Sequence, residues 1–229
     1  MNFRLINGLF TILLCVLLIR LLVIDMNGLV AVDSKKTENP YYIHVDLDLT
    51  TMYVFKDGEV HKTYPVCGGK YSTPSPLGTW TIISKANWGE GFGGSWMGFN
   101  VPWGKYGIHG TDEPWTVGSN ASKGCIRMYN DDAKELRSYI PHGTKVSIAM
   151  GEGYFGYGYK TLKPGARGSD VFAVQLQLKE LGYYHGHPDG IYGDGLKAAV
   201  TKFKKSNNLG SNPWITSAVY EAMGFFPFE

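Results

Sequence analysis

The sequence predicts a β-rich domain with one helix, then a small all-α domain of three helices, both behind an N-terminal transmembrane helix. Three observations carry that expectation. From Tyr42 the chain alternates apolar and polar side chains with period two, the mark of half-buried strands. From Val171 to Phe203 apolar side chains recur at helical spacing. Residues 5–24 are almost wholly apolar. A length of 229 residues suits one large domain or two small ones. Hydrophobic residues at 44% and charged ones at 18% allow a real core and exclude a disordered chain. Twenty-two Lys+Arg against twenty Asp+Glu leave a charge of +2, far from a dedicated nucleic-acid binder, so no nucleic acid is expected. Three cysteines cannot build a disulfide framework.

Taken in order, residues 1–27 read as a membrane anchor or signal segment. Twenty helical residues rise about 30 Å, the thickness of a hydrocarbon core. Arg20 sits near the end of the run, where its stem can snorkel, and Leu29-Val30-Ala31 makes a poor cleavage site. The expectation is a single-pass anchor through residues 5–24 with the rest outside the cytoplasm, or secretion to the wall if the segment is cleaved. Residues 28–40 form a polar linker.

Residues 41–150 make the β-rich domain. Ile43, Val45, Leu47 and Leu49 share one strand face; Met52 to Phe55 and Val60 to Val66 flank the hairpin signal Asp57-Gly58. Thr79 to Ser84 and Val146 to Ala149 are further strands. Between Lys85 and Gly107 lies a Gly- and Trp-rich stretch without periodicity, expected as a functional loop, a lid or a substrate wall. One helix has Asn130 as N-cap, Asp131 and Asp132 in its first turn, Leu136 and Ile140 facing inward, and Pro141 and Gly143 at its end.

Residues 151–160 are a Gly/Tyr linker. Gly151, Gly153 and Gly156 form a G-x-G-x-x-G after a strand, but Gly158 and Pro164-Gly165 follow instead of a helix, so a dinucleotide site is rejected. In residues 161–229, Val171, Val174, Leu178 and Leu181 define a helix capped by Ser169 or Asp170. Asp194 caps a second carrying Leu196, Val200 and Phe203, and Thr216 starts a third that ends before Gly224. His185 and His187 flank Gly186 in a turn and read as surface residues.

Chemistry concentrates in Tyr106-Gly107-Ile108-His109-Gly110 and in Ser122-Lys123-Gly124-Cys125-Ile126-Arg127-Met128. A cysteine nucleophile needs a base, a cationic neighbour and donors for the oxyanion. His109 can be the base. Gly124 leaves room for backbone N–H groups, its own and that of Cys125, to face a tetrahedral oxygen. Arg127, two residues past Cys125, projects to the same side of an extended segment, where its fork can hold a substrate carboxylate or carbonyl. An ion pair with protonated His109 is expected to hold the Cys125 thiolate below the ordinary thiol value.

These two segments, sixteen positions apart from His to Cys, resemble the catalytic domain of the L,D-transpeptidases, bacterial enzymes that cross-link peptidoglycan. Tyr64-Pro65-Val66, Gly69-Lys70, Thr73-Pro74, Pro76-Leu77-Gly78-Thr79 and Asn100-Val101-Pro102-Trp103-Gly104 extend the resemblance over most of a domain; Cys67 departs from it, standing where a small residue is usual. The resemblance implies a β-sandwich with a helix. It also implies Cys125 as nucleophile, His109 as base oriented by a backbone carbonyl, Gly124 at the oxyanion hole and Arg127 organising the site. Gly110, Ser122 and Trp103 are expected on the substrate side. No metal or cofactor is implied.

Residues 161–229 resemble a helical peptidoglycan-binding domain through Gly165, Gly168, Asp170-Val171, Gln175-Leu176, Leu181-Gly182-Tyr183, Asp189-Gly190, Tyr192-Gly193, Ala199-Val200 and Phe203, with Leu196 where Thr is usual. With no nucleophile–base pair there, all chemistry is expected before residue 150. Peptidoglycan stem peptides and glycan are the expected partner. Two other readings stay open: an L,D-carboxypeptidase using water as acceptor, and a non-catalytic wall-binding structural protein.

Overall fold

The computed structural model describes residues 39–226 except 90, 152 and 157. The anticipated span 5–24 lies outside the described residues, and among those described no helix is long and apolar enough to cross a membrane. Eight strands form one mixed sheet, in the order β3 (Glu59–Pro65), β2 (Thr51–Lys56), β1 (Tyr41–Asp46), β10 (Lys145–Ala149), β5 (Gly78–Ala86), β6 (Trp96–Phe99), β7 (Gly107–Gly110), β9 (Ile126–Met128). Short β4 (Gly68–Gly69) and β8 (Asn120–Ser122) pair separately.

The hairpin between β2 and β3 turns at Asp57 and Gly58, with φ of 52° and 89°, the left-handed pair that matches strand twist. β5 turns the sheet's corner: its first half pairs with β10 and its second with β6, with a register shift between Ile82 and Ser84. Past β3 the chain crosses to β9, where the Cys67 and Arg127 N–H groups donate to each other's carbonyls at 2.8 and 2.9 Å. The sheet thus closes on itself around one core holding Ile43, Met52, Ile82, Met97, Ile108 and Ile126, a sandwich-like body.

Several local expectations change. Leu49 is 62% exposed, because β1 stops at Asp46, whose Oδ1 accepts the Asp48 and Leu49 N–H groups at 2.9 Å and turns the chain away. Part of the stretch expected as loop is strand: β5 continues through Ala86, and β6 is buried at all four residues, so neither face shows alternation. Helix α1 (Asn130–Tyr139) buries Ala133 and Leu136, but Asn130 is its first residue rather than its cap. The Asn130 Oδ1 instead accepts the Thr111 N–H at 2.8 Å, tying the helix start to the segment after β7.

The helical region holds α2 (Ser169–Glu180), α3 (Asp194–Ser206) and α4 (Ser217–Ala222) around Val171, Val174, Leu178, Leu196, Val200, Phe203 and Tyr220. Glycines, not side-chain caps, precede α2 and α3: Gly168 at φ 143° and Gly193, so Ser169 and Asp194 are the first helical residues. Thr216 stands at the N-cap position of α4, without a side-chain cap bond. Leu181 is 41% exposed because α2 has ended at Glu180. His185 and His187 are exposed. The Gly/Tyr stretch is docked rather than free: Phe155 meets Tyr220 edge-on at 5.4 Å and Tyr159 stacks on it at 4.7 Å, and among the described residues no α-helix opens at its glycines.

Leu136 is fully buried where α1 meets the sheet, whereas Glu135 of the same helix pairs with Lys62 of β3 with both side chains about half exposed. Leu136→Ala should therefore cost about 2–5 kcal/mol in denaturant unfolding. Lys62→Ala should leave the midpoint close to wild type, since solvent screens such pairs.

Candidate active site

The site grows out of strand pairing. β7 and β9 run parallel, with Ile108 opposite Ile126 and His109 opposite Arg127. Side chains alternate across the sheet, so Ile108, Ile126 and Met128 enter the core while His109 and Arg127 share the other face. One step back along the pairing, Cys125 lies beside Gly107, whose backbone hydrogen-bonds to the thiol group. On β6, Trp96 opposes His109 and joins the same face. Gly107 separates Cys125 from His109 and carries no side chain; a Cβ there would meet the Met97 carbonyl at 2.4 Å and the Trp96 indole at 2.9 Å.

His109 is 5% exposed, and its Nδ1 lies 2.5 Å from the Gly110 carbonyl oxygen. That oxygen only accepts, so Nδ1 carries the proton and a neutral ring presents a bare Nε2. Burial pushes the His109 pKa down, the Gly110 carbonyl opposes this, and Arg127 lowers it further. Burial also pushes the Cys125 thiol up, against opposing contributions from Gly107 and Arg127. Desolvation thus works against the thiolate–imidazolium pair anticipated from the sequence, while Arg127 and the Gly107 backbone favour its thiolate half.

The turn before Cys125 is built by Ser122 and Gly124. Ser122 is fully buried; its hydroxyl accepts the Gly124 N–H at 3.0 Å and donates to the Cys125 carbonyl at 2.6 Å. Expected on the substrate side, Ser122 is instead an internal staple. The Gly124 N–H is consequently not free to face an oxyanion, which leaves that of Cys125 from the expected pair. Gly124 has φ 116°, and a Cβ would meet the Tyr106 ring at 2.7 Å, so glycine is required there on both counts.

The other expected positions also find definite tasks. Arg127 Nη1 pairs with Glu113 at 2.5 Å, so the guanidinium is engaged within the protein rather than held open for a substrate carboxylate. Gly110 supplies the carbonyl to His109, and its missing side chain admits Gly93 and Asn130: a Cβ would meet the Asn130 Oδ1 at 2.4 Å and the Gly93 Cα at 2.9 Å. Trp103 packs onto Trp80 and onto Phe172 of α2, with ring centroids 5.1 and 5.6 Å away.

Sequence reasoning missed three neighbours. Glu113 gave no signal, since its pairing with Arg127 spans fourteen residues. Phe92 and Trp88 lay within the Gly- and Trp-rich stretch: Phe92 meets the His109 ring edge-on at 4.8 Å, Trp96 stacks on it at 5.8 Å, and Trp88 stacks on Trp96 at 4.2 Å. That stretch is an aromatic wall around the imidazole and the source of its burial. Among the described residues, no group of three or more His, Cys, Asp or Glu side chains is gathered where a metal could be held.

The comparisons agree in direction. Residues 40–148 match the L,D-transpeptidase catalytic domain, and residues 167–223 match a putative peptidoglycan binding domain. The putative L,D-transpeptidase YkuD of Bacillus subtilis is 43% identical over 110 residues, covering 48% of this chain and 66% of that one. The putative L,D-transpeptidase YqjB of the same organism is 35% identical over 131 residues, covering 48% and 74%. The NMR structure of the catalytic domain from E. faecium L,D-transpeptidase overlaps with a TM-score of 0.43 at 27% identity, covering 49% of this chain and 99% of that one. The chain thus spans just under two thirds of the first of these relatives.

Alkylation of Cys125 by iodoacetamide should rise into the alkaline range, with an inflection above the ordinary thiol value. Arg127→Ala should move the inflection higher still, since its charge favours the thiolate. A stopped-flow pH series checks this; an inflection at or below neutrality would show that the ion pair forms at rest.

Proposed function

The chain belongs to the L,D-transpeptidase family, and from that premise we propose that it exchanges peptide bonds in peptidoglycan through a Cys125 thioester. The observation that carries the reading is the shared sheet face of Cys125, His109 and Arg127, with His109 Nδ1 held by the Gly110 carbonyl.

The substrate is a stem tetrapeptide. As Cys125 Sγ attacks the carbonyl carbon between the third and fourth residues, its proton passes to His109 Nε2. The carbonyl oxygen becomes an oxyanion that accepts from the Cys125 N–H. Collapse of the tetrahedral adduct breaks the C–N bond, His109 returns the proton to the departing amine, and D-Ala leaves. A side-chain amine of a neighbouring stem then attacks the thioester, His109 removes its proton, and Cys125 leaves as thiolate and is reprotonated. Cys67, buried with its backbone bonded to Arg127, takes no part.

Two features suit the site to this cycle. A neutral imidazole is ready to accept a proton at physiological pH, so no prior deprotonation is required. Arg127 favours thiolate and disfavours imidazolium, so its charge acts chiefly when Cys125 is the leaving group. The helical region is assigned to holding the polymer near the site, which raises the effective substrate concentration there.

Incubating the purified chain with a disaccharide-tetrapeptide and following it by mass spectrometry tests the reading. A Cys125 adduct, free D-Ala and a cross-linked dimer are expected, all absent in Cys125→Ala and retained in Cys67→Ala. Release of D-Ala by Cys125→Ala would overturn it, and tripeptide formed without dimer would move the acceptor from amine to water.

A further inference from the structure

The boundary between the β-rich body and the helical region is itself attached to the nucleophile turn. Phe172 projects from α2 and packs against the core of the β-rich body. Its ring lies 5.6 Å from both Trp80 and Trp103, and Tyr154 adds a fourth ring at 6.4 Å from Phe172. The Trp103 indole also lies against Gly190, where a Cβ would meet it at 2.1 Å. Gly190 is presented by a pinned loop. The fully buried Gln175 of α2 accepts the Asp189 and Gly190 N–H groups at 2.9 and 2.7 Å through Oε1, and donates to Asp189 Oδ1 at 2.7 Å. Two independent contacts from the helical region therefore fix one indole of the β-rich body.

That indole is one step from the chemistry. The Trp103 indole N–H lies near enough to the Tyr106 hydroxyl to favour its phenolate, and the Tyr106 ring lies against Gly124, close enough to Cys125 for the thiolate charge to be felt at the phenol. We propose that Trp103 and Tyr106 are positioning residues for Cys125, and that the helical region, through Phe172 and Gly190, completes the active-site scaffold instead of only holding the polymer. This rests on the reading of Cys125 as the nucleophile. It revises the expectation that everything needed for chemistry lies before residue 150.

The consequence is a paired signature. Phe172→Ala removes the ring that backs Trp103, so Trp103 and then Tyr106 gain freedom and water reaches the Cys125 turn. Burial is the largest influence holding the thiol up, so hydration lowers its inflection and speeds alkylation by iodoacetamide at neutral pH. A loosened turn also misplaces the sulfur, so acylation by the tetrapeptide slows. Side-chain changes along such a chain of contacts typically alter coupling by about 3- to 30-fold. The groups around the thiol are Arg127 with Glu113 paired to it, Tyr106 against the Gly124 turn, and His109 opposite Arg127 on the neighbouring strand; none is altered by the Phe172 substitution.

The experiment uses the full chain with Phe172→Ala, Phe172→Tyr, Trp103→Phe and Lys197→Ala, the last an exposed residue of α3. Phe172→Ala and Trp103→Phe should both slow tetrapeptide acylation about 3- to 30-fold. Phe172→Ala should also lower the alkylation inflection, while Phe172→Tyr and Lys197→Ala should match wild type in both assays. Wild-type behaviour in Phe172→Ala and Trp103→Phe, an unmoved inflection in Phe172→Ala, failure of Phe172→Tyr to restore the rate, or equal losses in Lys197→Ala would each overturn the proposal. Alkylation needs no peptidoglycan chemistry, so failure of the functional reading, seen as absent acylation in wild type, is separate from failure of this one.

Discussion

The in-register parallel pairing of β7 with β9 is the constraint on which the site depends. It places His109 beside Arg127 and Gly107 beside Cys125 on one face, and sends Ile108, Ile126 and Met128 into the core from the other. A slip of one residue would bury the polar side chains and expose the apolar ones, so the core itself fixes the register of the candidate site. Parallel neighbours also require a crossover. Residues 111–125 supply it, and the same segment contains Glu113, which engages Arg127, and Ser122, which staples the turn before Cys125. The connection and the site are one piece of chain.

Within that frame, burial governs electrostatics. With the aromatic wall of Phe92, Trp96 and Trp88 around it, burial is the largest influence on His109; Arg127 acts in the same direction, and the Gly110 carbonyl and Asp112 oppose it. Cys125 behaves likewise, with desolvation ahead of the Gly107 backbone and Arg127. A motif shows which groups are neighbours but not how dry they are. The same Cys, His and Arg in a wetter cleft would form the ion pair that the bare sequence suggests.

This is also where legibility in the sequence stops. The strands with period-two alternation and the helices with clean apolar stripes were readable because each buries one face. β6 was not, because both its faces are covered. Helix starts were misread at Asn130, Ser169 and Asp194, since residues that favour caps also serve as first-turn residues when glycine or a tyrosine precedes them. His109, Cys125 and Arg127 stand out by residue type and by the resemblance of their segments to the L,D-transpeptidases, and the two-residue step from Cys125 to Arg127 adds that both project to one side of an extended segment. Glu113, Phe92 and the turn of Trp103 toward Phe172 could not, because they depend on contacts between segments far apart in the chain. Ser122 reads as a polar residue beside a nucleophile whether it faces substrate or interior.

The parallel pairing of β1 with β10 has a consequence for how the chain acquires this structure. Tyr42 to Asp46 align with Lys145 to Ala149, so the first strand of the body waits about a hundred residues for one of its two neighbours. β10 also bridges β1 to β5, so until it arrives the β1–β3 meander can reach the half of the sheet holding His109 only around the far edge, through the Cys67–Arg127 pairing. Contacts of such long sequence separation slow folding, because loop closure costs entropy before burial compensates. Assembly of the nucleophile's sheet is therefore a late event in folding, completed only once the segment directly ahead of the helical region is available.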